Sequence, residues 1–259
     1  MRRYVIGDIH GCSKALRALV DEIAPRRDDT LIFLGDFIDR GPDSRGVLDL
    51  IIDLAGYTRV VPLRGNHELM MMGVLFGGLD PDVWIRCGGH TTIANYGGNL
   101  ERVPDSHIQF LQSLHRHHET EREIFIHAGY LPECAIEQTD DAVRYWNHPQ
   151  IWPGPHRSGK RAYVGHTPQP DGEVLNLGHL VCVDTYCFGD GWLTAVDLDS
   201  HATLQASKQG HLRRVPLQTM LNWFKRIVGR DPGEKRRASQ ASVQDRSLKE
   251  LGFPESPGR

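Results

Sequence analysis

Hydrophobic residues along this chain fall into two rhythms. Unbroken apolar runs at Tyr4-Val5-Ile6, Leu31-Ile32-Phe33-Leu34, Val60-Val61-Pro62-Leu63, Ile124-Phe125-Ile126 and Ala162-Tyr163-Val164 are too short for helices and read as buried strands. Between the first three, apolar residues return at helical spacing: Leu16, Leu19, Val20 and Ile23, then Val47, Leu48, Ile51 and Leu54. Ser13 is placed to cap the first of these helices and Pro25 to stop it; Pro42-Asp43-Ser44 opens the second and Gly56 follows its end. Strand-helix-strand-helix-strand predicts parallel pairing with right-handed crossovers.

Residues 68–118 read as mostly helical, with Ile108, Leu111 and Leu114 on one face. Met70-Met71-Met72 suits either an adaptable substrate-facing patch or core packing, and core packing is the expectation. His115-Arg116-His117-His118 has no apolar run feeding it and reads as a solvated turn rather than a metal tract. Beyond His166, Val181, Val183 and Thr185 alternate, as do Thr194, Val196 and Leu198, around Gly189-Asp190-Gly191, which predicts a hairpin. A further short strand is expected near Ala202-Thr203-Leu204. The whole is an α/β pattern, a layered sandwich of two mixed sheets flanked by helices, over residues 1–209. Leu217, Met220, Leu221, Phe224, Ile227 and Val228 then predict an amphipathic helix over residues 210–230, fit to dock on a partner, an anionic membrane surface or its own domain. Residues 231–259 have the polar, Ser- and Arg-rich composition of a disordered tail.

Composition narrows the class more than it names a function. A net charge of −3 over 259 residues gives no field that predicts nucleic-acid binding. Five scattered cysteines without a Cys-x-x-Cys pair argue against a disulfide framework and for a reducing, cytoplasmic setting. Arg2-Arg3 precede an apolar run too short for a signal-peptide core, and no apolar stretch approaches the roughly 18 residues of a membrane span.

The chemistry sits where the predicted strands end. The five apolar runs empty into Gly7-Asp8-Ile9-His10-Gly11, Gly35-Asp36-Phe37-Ile38-Asp39-Arg40-Gly41, Arg64-Gly65-Asn66-His67-Glu68, His127-Ala128-Gly129 and Gly165-His166. Strand carboxyl ends are where open α/β sheets place ligands. Asp8, His10, Asp36, Asn66, His127 and His166 therefore form a candidate metal-ligand set. Two carboxylates, one amide oxygen and three imidazoles surround two divalent ions only if a carboxylate is shared, and Asp36 is the natural bridge. Asp8, His10 and Asp36 would hold one ion; Asp36, Asn66, His127 and His166 would hold the other. Mixed N/O ligation suits Mn, Fe or Zn better than Mg or Ca. Two ions about 3.5–4 Å apart activate water and clamp an in-line displacement on phosphorus. His67 is the candidate general acid, Asp39 its orienting partner, and Arg40 and Arg64 are candidate phosphoryl forks. Glu68 is expected only to cap or salt-bridge at the next helix.

Those first three blocks resemble the signature blocks of the PPP phosphoprotein phosphatases, and His127-Ala128-Gly129 and Gly165-His166 resemble their last two metal-ligand blocks. The resemblance covers roughly residues 1–200. It implies the calcineurin-like metallophosphoesterase fold, a dinuclear centre and serine/threonine phosphatase activity, with Mn usual in small bacterial and phage members. The blocks also resemble those of symmetrical diadenosine tetraphosphatases, which tend to lack the second carboxylate of the second block and to carry Asp after Asn-His. Asp39 and Glu68 lean toward the protein phosphatases. The expected substrate is thus a phosphoprotein, with a phosphorylated small molecule or dinucleotide as the alternative; a silent binding module ranks last, and no regulatory subunit is implied. Small phage-like members often carry Arg two residues after a Trp between the last two metal histidines. Here Trp146-Asn147-His148 has His148 in that place, leaving Arg144, Arg157 or Arg161 as replacements.

Overall fold

The computed structural model describes residues 1–213. Of the predicted C-terminal helix over 210–230 only residues 210–213 are described, and the tail over 231–259 lies wholly outside the described part of the chain.

The opening alternation is as the periodicity predicts: β1 (Arg3–Ile6), α1 (Ser13–Ile23), β2 (Thr30–Phe33), α2 (Ser44–Ala55) and β3 (Arg59–Pro62). Ser13 begins the first helix without capping it; its hydroxyl donates instead to Asp43, the residue whose carboxylate caps α2 through Gly46 N. A mostly helical stretch follows, with α3 (Asn66–Leu75), α4 (Pro81–Trp84), a π-helical turn (Ile85–Gly89), α5 (His90–Asn95) and α6 (Asp105–Ser113). The chain then runs through β4 (His117–Glu119), β5 (Glu123–Ile126), α7 (Asp141–Trp146), β6 (Arg161–Val164), β7 (Leu175–Asn176), β8 (Leu180–Cys182), β9 (Leu193–Asp197) and β10 (Thr203–Ala206). None of the described helices is long and apolar enough to cross a membrane.

Two five-stranded mixed sheets result, ordered β10-β9-β1-β2-β3 and β4-β5-β6-β8-β7. Strands β1, β2 and β3 are parallel in the first sheet, and β5, β6 and β8 in the second; antiparallel strands complete the edges. One face of each sheet meets the other sheet. Val5, Ile32, Val61, Phe125, Tyr163, Val181 and Val196 form one buried cluster drawn from both. On β5 and β6 the alternate residues Ile124, Ile126, Ala162 and Val164 join a second cluster with Tyr130 and Ile136. Burial on both faces explains the unbroken apolar runs. Each such side chain contributes roughly 1.5–3 kcal/mol by leaving water, which fixes the sandwich and the strand ends with it.

Two expectations need correction. The alternating segments around 189–191 are not partners in one ladder: β8 lies in the second sheet and β9 in the first, and the chain between them makes isolated bridges from Trp192 to Thr185 and Tyr186. The alternation was real, but it reflects two strands facing across a sandwich. The histidine-rich segment is also not a turn. His117 and His118 belong to edge strand β4, antiparallel to β5 and half-buried, because the neighbouring strand supplies the ladder that its own polar side chains do not advertise. Met70 and Met71 are fully buried, as core packing requires.

Candidate metal centre

All the predicted ligands gather where the parallel strands of both sheets end. Backbone bonds lock the loops together: Ile9 and His10 N–H donate to Asp36 O at 3.0 and 2.8 Å, and Gly165 N–H donates to His127 O at 2.7 Å. Asp8, His10, Asp36, Asn66, His127 and His166 are all buried. Backbone passes so close to the carboxylates that a Cβ at Gly165 would collide with Asp8 Oδ1, and one at Gly65 with Asp36 Oδ1.

The orientation of the imidazoles is decided by their second nitrogen. His10 Nδ1 lies 3.0 Å from Ile38 O and His127 Nδ1 lies 2.8 Å from Leu34 O. A carbonyl only accepts, so both Nδ1 atoms carry the proton and both Nε2 atoms present lone pairs. Those lone pairs point at a carboxylate: His10 Nε2 is 3.4 Å from Asp36 Oδ2, and His127 Nε2 is 3.5 Å from Asp36 Oδ1. Acceptors thus face acceptors on both sides of one carboxylate. The Asn66 carboxamide sits on the second side, 3.0 Å from His127 Nε2 and 3.1 Å from His166 Nδ1. Asp8 Oδ2 accepts from His166 N–H at 2.9 Å, while Asp8 Oδ1 has no hydrogen-bond partner among the described residues. Arg40 Nη1 lies 3.1 Å from His10 Nε2 and His67 N–H donates to Asp36 Oδ1 at 3.2 Å, but Asp8 Oδ1 and His166 Nε2 stay buried without a partner among the described residues. Acceptors so short of donors are costly unless a cation joins them, so this donor set fits divalent ions bound on either side of Asp36.

Electrostatics agree. Burial, with the nearby Asp184 and Asp36, pushes the Asp8 carboxyl well above its usual range, and burial with Glu68 does the same to Asp36. Burial holds His10 and His166 far below the usual imidazole value and brings His127 down to about 3, which keeps all three neutral and able to ligate.

His67 stands beside this cluster. Its Nδ1 lies 2.7 Å from Asp39 Oδ2, and its Nε2 faces Asp36 Oδ2 at 4.0 Å. Asp39 is itself fixed by Trp84 Nε1–H and Thr92 Oγ1–H, each donating at 2.6 Å. Burial raises the Asp39 carboxyl to about 7 against the pull of those donors. Glu68 does more than cap: its buried carboxylate accepts from Gly65 N–H at 2.8 Å and from Asp36 and Phe37 N–H at 2.9 and 2.8 Å, so it also holds the Asp36 loop.

The arginines divide. Arg40 Nη1 lies 3.1 Å from His10 Nε2, among the ligands. Arg64 Nη2 donates instead to Gln112 O and Leu114 O at 3.4 and 3.3 Å, drawn to carbonyls at the C-terminal end of α6. Of the two expected forks, only Arg40 is turned to the ligands. None of the proposed replacements for the missing arginine is at the site either. Arg144 is fully buried with its guanidinium on Ile136 O, Glu137 O and Thr139 O; Arg157 donates to Glu133 O; Arg161 donates to Gly178 O and Asn176 Oδ1. His148 does reach the site, its ring stacked 4.0 Å from that of His166.

Asp184 was missed by sequence reasoning. It is buried, its Oδ1 accepts from Tyr186 N–H at 3.0 Å, and its Oδ2 has no partner among the described residues. Burial raises its carboxyl to about 6. The signal was present: Leu180-Val181-Cys182-Val183 is one more apolar run ended by a carboxylate. Trp84 and Thr92 carried no such signal, since they meet Asp39 only through the fold.

Comparison with known proteins places this arrangement. A symmetrical bis(5'-nucleosyl)-tetraphosphatase from Acidovorax sp. (strain JS42) is 36% identical over 145 residues, covering 54% of this chain and 48% of that protein. One of the same name from Burkholderia pseudomallei (strain 668) is 31% identical over 170 residues, covering 62% and 54%. The chain spans about half the length of these curated relatives. Among solved structures, one provisionally named a diadenosine tetraphosphatase aligns with a TM-score of 0.60 at 19% identity, covering 79% of this chain and 92% of that one. A cold-active protein-tyrosine phosphatase of a psychrophilic Shewanella aligns with a TM-score of 0.59 at 16% identity, covering 82% and 79%; at such identities the likeness is one of fold. Residues 1–189 match the family model of the calcineurin-like phosphoesterases, and with strand order, strand-end ligands and match in accord, the chain belongs to that family.

Proposed function

We propose that this chain is a metal-dependent hydrolase of phosphoric anhydrides and esters, and that its substrate class is the dinucleoside polyphosphates. The observation that carries the hydrolytic reading is the pairing of buried acceptors around Asp36, with His10 on one oxygen and His127 on the other. It supports Asp36 as the shared ligand, Asp8 and His10 on one ion, and Asn66, His127 and His166 on the other. Bound there, two divalent ions would supply an activated water and neutralise charge on the phosphoryl group. Donor chemistry suits Mn, Fe or Zn, and the preference for Mn among them rests on the resemblance to the small bacterial and phage phosphatases.

The protein's own residues supply the rest. Arg40 would bind the phosphoryl oxygens beside His10. His67, backed by Asp39, would deliver a proton from Nε2 to the leaving oxygen. Symmetrical cleavage of a dinucleoside tetraphosphate adds one water, breaks the central P–O bond and releases two nucleoside diphosphates. The substrate choice rests on the sequence relatives, which carry the tetraphosphatase name, and it reverses the order expected from Asp39 and Glu68. The phosphoprotein reading keeps one specific observation, the His67–Asp39 hydrogen bond at 2.7 Å, which suits an alkoxide leaving group. Initial rates on diadenosine tetraphosphate and on a phosphoserine peptide, with Mn²⁺ saturating, test the choice. Faster turnover of the dinucleotide, with ADP as the product, is expected; faster turnover of the peptide would overturn it.

A further inference from the structure

Arg40 is held in an unusual way. It and Asp39 both have left-handed backbone, with φ of 65° and 72°, a conformation that costs of order 1–3 kcal/mol at a non-glycine residue and persists only where neighbours enforce it. One neighbour is the π-helical turn. Arg40 N–H donates to Gly88 O at 3.3 Å, and a Cβ on Gly88, itself at φ 109°, would fall 2.7 Å from Arg40 Cγ. The other is Phe188, over whose ring the guanidinium carbon sits 4.7 Å from the centroid. Phe188 also meets the edges of His10, at 4.8 Å, and Tyr186, at 4.7 Å. Its loop is tied down by Gly191 N–H to Tyr186 O at 3.1 Å, by Tyr186 N–H to Asp184 Oδ1 at 3.0 Å and by Lys208 Nζ to Gly189 O at 2.8 Å.

Among the described residues, the guanidinium also meets His10 Nε2, at 3.1 Å. That lone pair cannot serve both Arg40 and a metal ion. Once an ion takes it, the face of Phe188 is the side-chain contact that, among the described residues, is left to orient the fork. From this geometry we infer that Phe188 is a positioning residue that holds Arg40 for the phosphoryl group, rather than a platform for the base of a nucleotide. The inference rests on the placement of Arg40 at the phosphoryl oxygens proposed above. The ring face that a base would need is already covered by the guanidinium, and cation–π attraction is the interaction that placement provides.

A double-mutant cycle tests it, read as KM and kcat for p-nitrophenyl phosphate and as the Kd of inorganic phosphate by calorimetry, in the full chain loaded with Mn²⁺. Phe188→Ala should raise KM and Kd about twofold to fivefold, the worth of a cation–π contact to an exposed arginine, with kcat within about twofold and metal content unchanged. Phe188→Leu keeps bulk but loses the π face and should behave like Phe188→Ala; Phe188→Tyr should restore wild-type values. In an Arg40→Ala background, Phe188→Ala should have no further effect. If Phe188→Ala retains its full effect there, or impairs diadenosine tetraphosphate while sparing p-nitrophenyl phosphate and phosphate, Phe188 acts independently of Arg40 and the inference fails. If Phe188→Leu matches wild type, the ring is only packing and the inference fails as well. Phosphate affinity unchanged in Arg40→Ala itself would instead refute the placement of Arg40.

Discussion

Among the described residues, two clusters bring histidine and carboxylates close enough to hold an ion, and they are built oppositely. Around Asp36, His10 and His127 donate Nδ1–H to backbone carbonyls and turn lone pairs on the carboxylate. On edge strand β4, His117 lies with Glu119 and Glu137 in similar proximity. There the buried Arg144 donates from Nη1 to His117 Nδ1 at 3.2 Å. A guanidinium only donates, so the neutral His117 carries its proton on Nε2, the nitrogen that faces Glu137 Oε1 at 3.7 Å. Glu119 meanwhile pairs with Lys160 Nζ at 2.6 Å. The edge cluster already contains its cations and its donors, whereas the strand-end cluster, even with Arg40 beside His10, leaves Asp8 Oδ1 and His166 Nε2 without a hydrogen-bond partner among the described residues. Proximity of ligand types does not make a metal site; an unmet demand for positive charge does.

The strongest way to break that contrast is to remove the shared carboxylate. Asp36→Asn should leave well under the two equivalents of metal per chain expected of the wild type after dialysis, with activity lost, whereas His10→Ala should mainly empty one site. Two full equivalents in Asp36→Asn, measured by elemental analysis, would exclude the bridge. Glu119→Gln on β4 should leave metal content untouched.

Catalysis separates next. His67→Asn should lower kcat on a phosphoserine peptide about 10²–10⁴-fold, the usual worth of a general acid. The loss should be clearly smaller on p-nitrophenyl phosphate and on diadenosine tetraphosphate, whose leaving groups depart without help more readily than an alkoxide. Metal content should stay near wild type. Equal losses on all three substrates would show that His67 binds phosphate or positions the nucleophile. Trp84→Phe, which deletes one donor to Asp39, should show the same leaving-group dependence more weakly.

How much of this was legible follows from where each partner sits in the chain. The proposed ligands announced themselves because they follow the ends of apolar runs, and a buried strand read by its own side chains needs no knowledge of the rest of the fold. Asp184 obeys the same rule but was hidden by the alternation of Val181, Val183 and Thr185, which suggested a hairpin instead of a buried strand. Trp84 and Thr92 were illegible: they lie 45 and 53 residues from Asp39, and only the packing of α4 and α5 against the strand-end loops brings them there. Arg40 and Arg64 looked alike in sequence, one just beyond the carboxylate of Asp39 and the other two residues before Asn66. Their difference is made by the carbonyls at the end of α6, which a local motif does not contain.

A smaller effect links metal to stability. An ion that binds only the folded state stabilises it by about 2.7 kcal/mol at a hundredfold excess over Kd. Thermal unfolding of the chelator-treated wild type should therefore move to higher temperature on adding Mn²⁺. Asp36→Asn should lose most of that shift and Glu119→Gln should keep it. An equal shift in all three proteins would place the stabilising ion elsewhere.

The smallest expected effect tests the edge cluster on its own terms. Lys160 and Glu119 are each about one quarter exposed, at 24%, so their attraction is only partly screened and such pairs are worth about 1 kcal/mol or less. Lys160→Met removes the cation while keeping the apolar stem that covers β4. If the cluster is a closed set of ion pairs, this change should cost no more than about 1 kcal/mol in denaturant unfolding, and Glu119→Gln added to it should cost almost nothing further, since the charge it removes is already unpaired. The metal count should remain two, because Arg144 still fixes the proton of His117 on the nitrogen that an ion would need. A third equivalent of metal in wild type, lost on His117→Ala, would mean that Arg144 does not set the tautomer and that the edge cluster binds an ion after all.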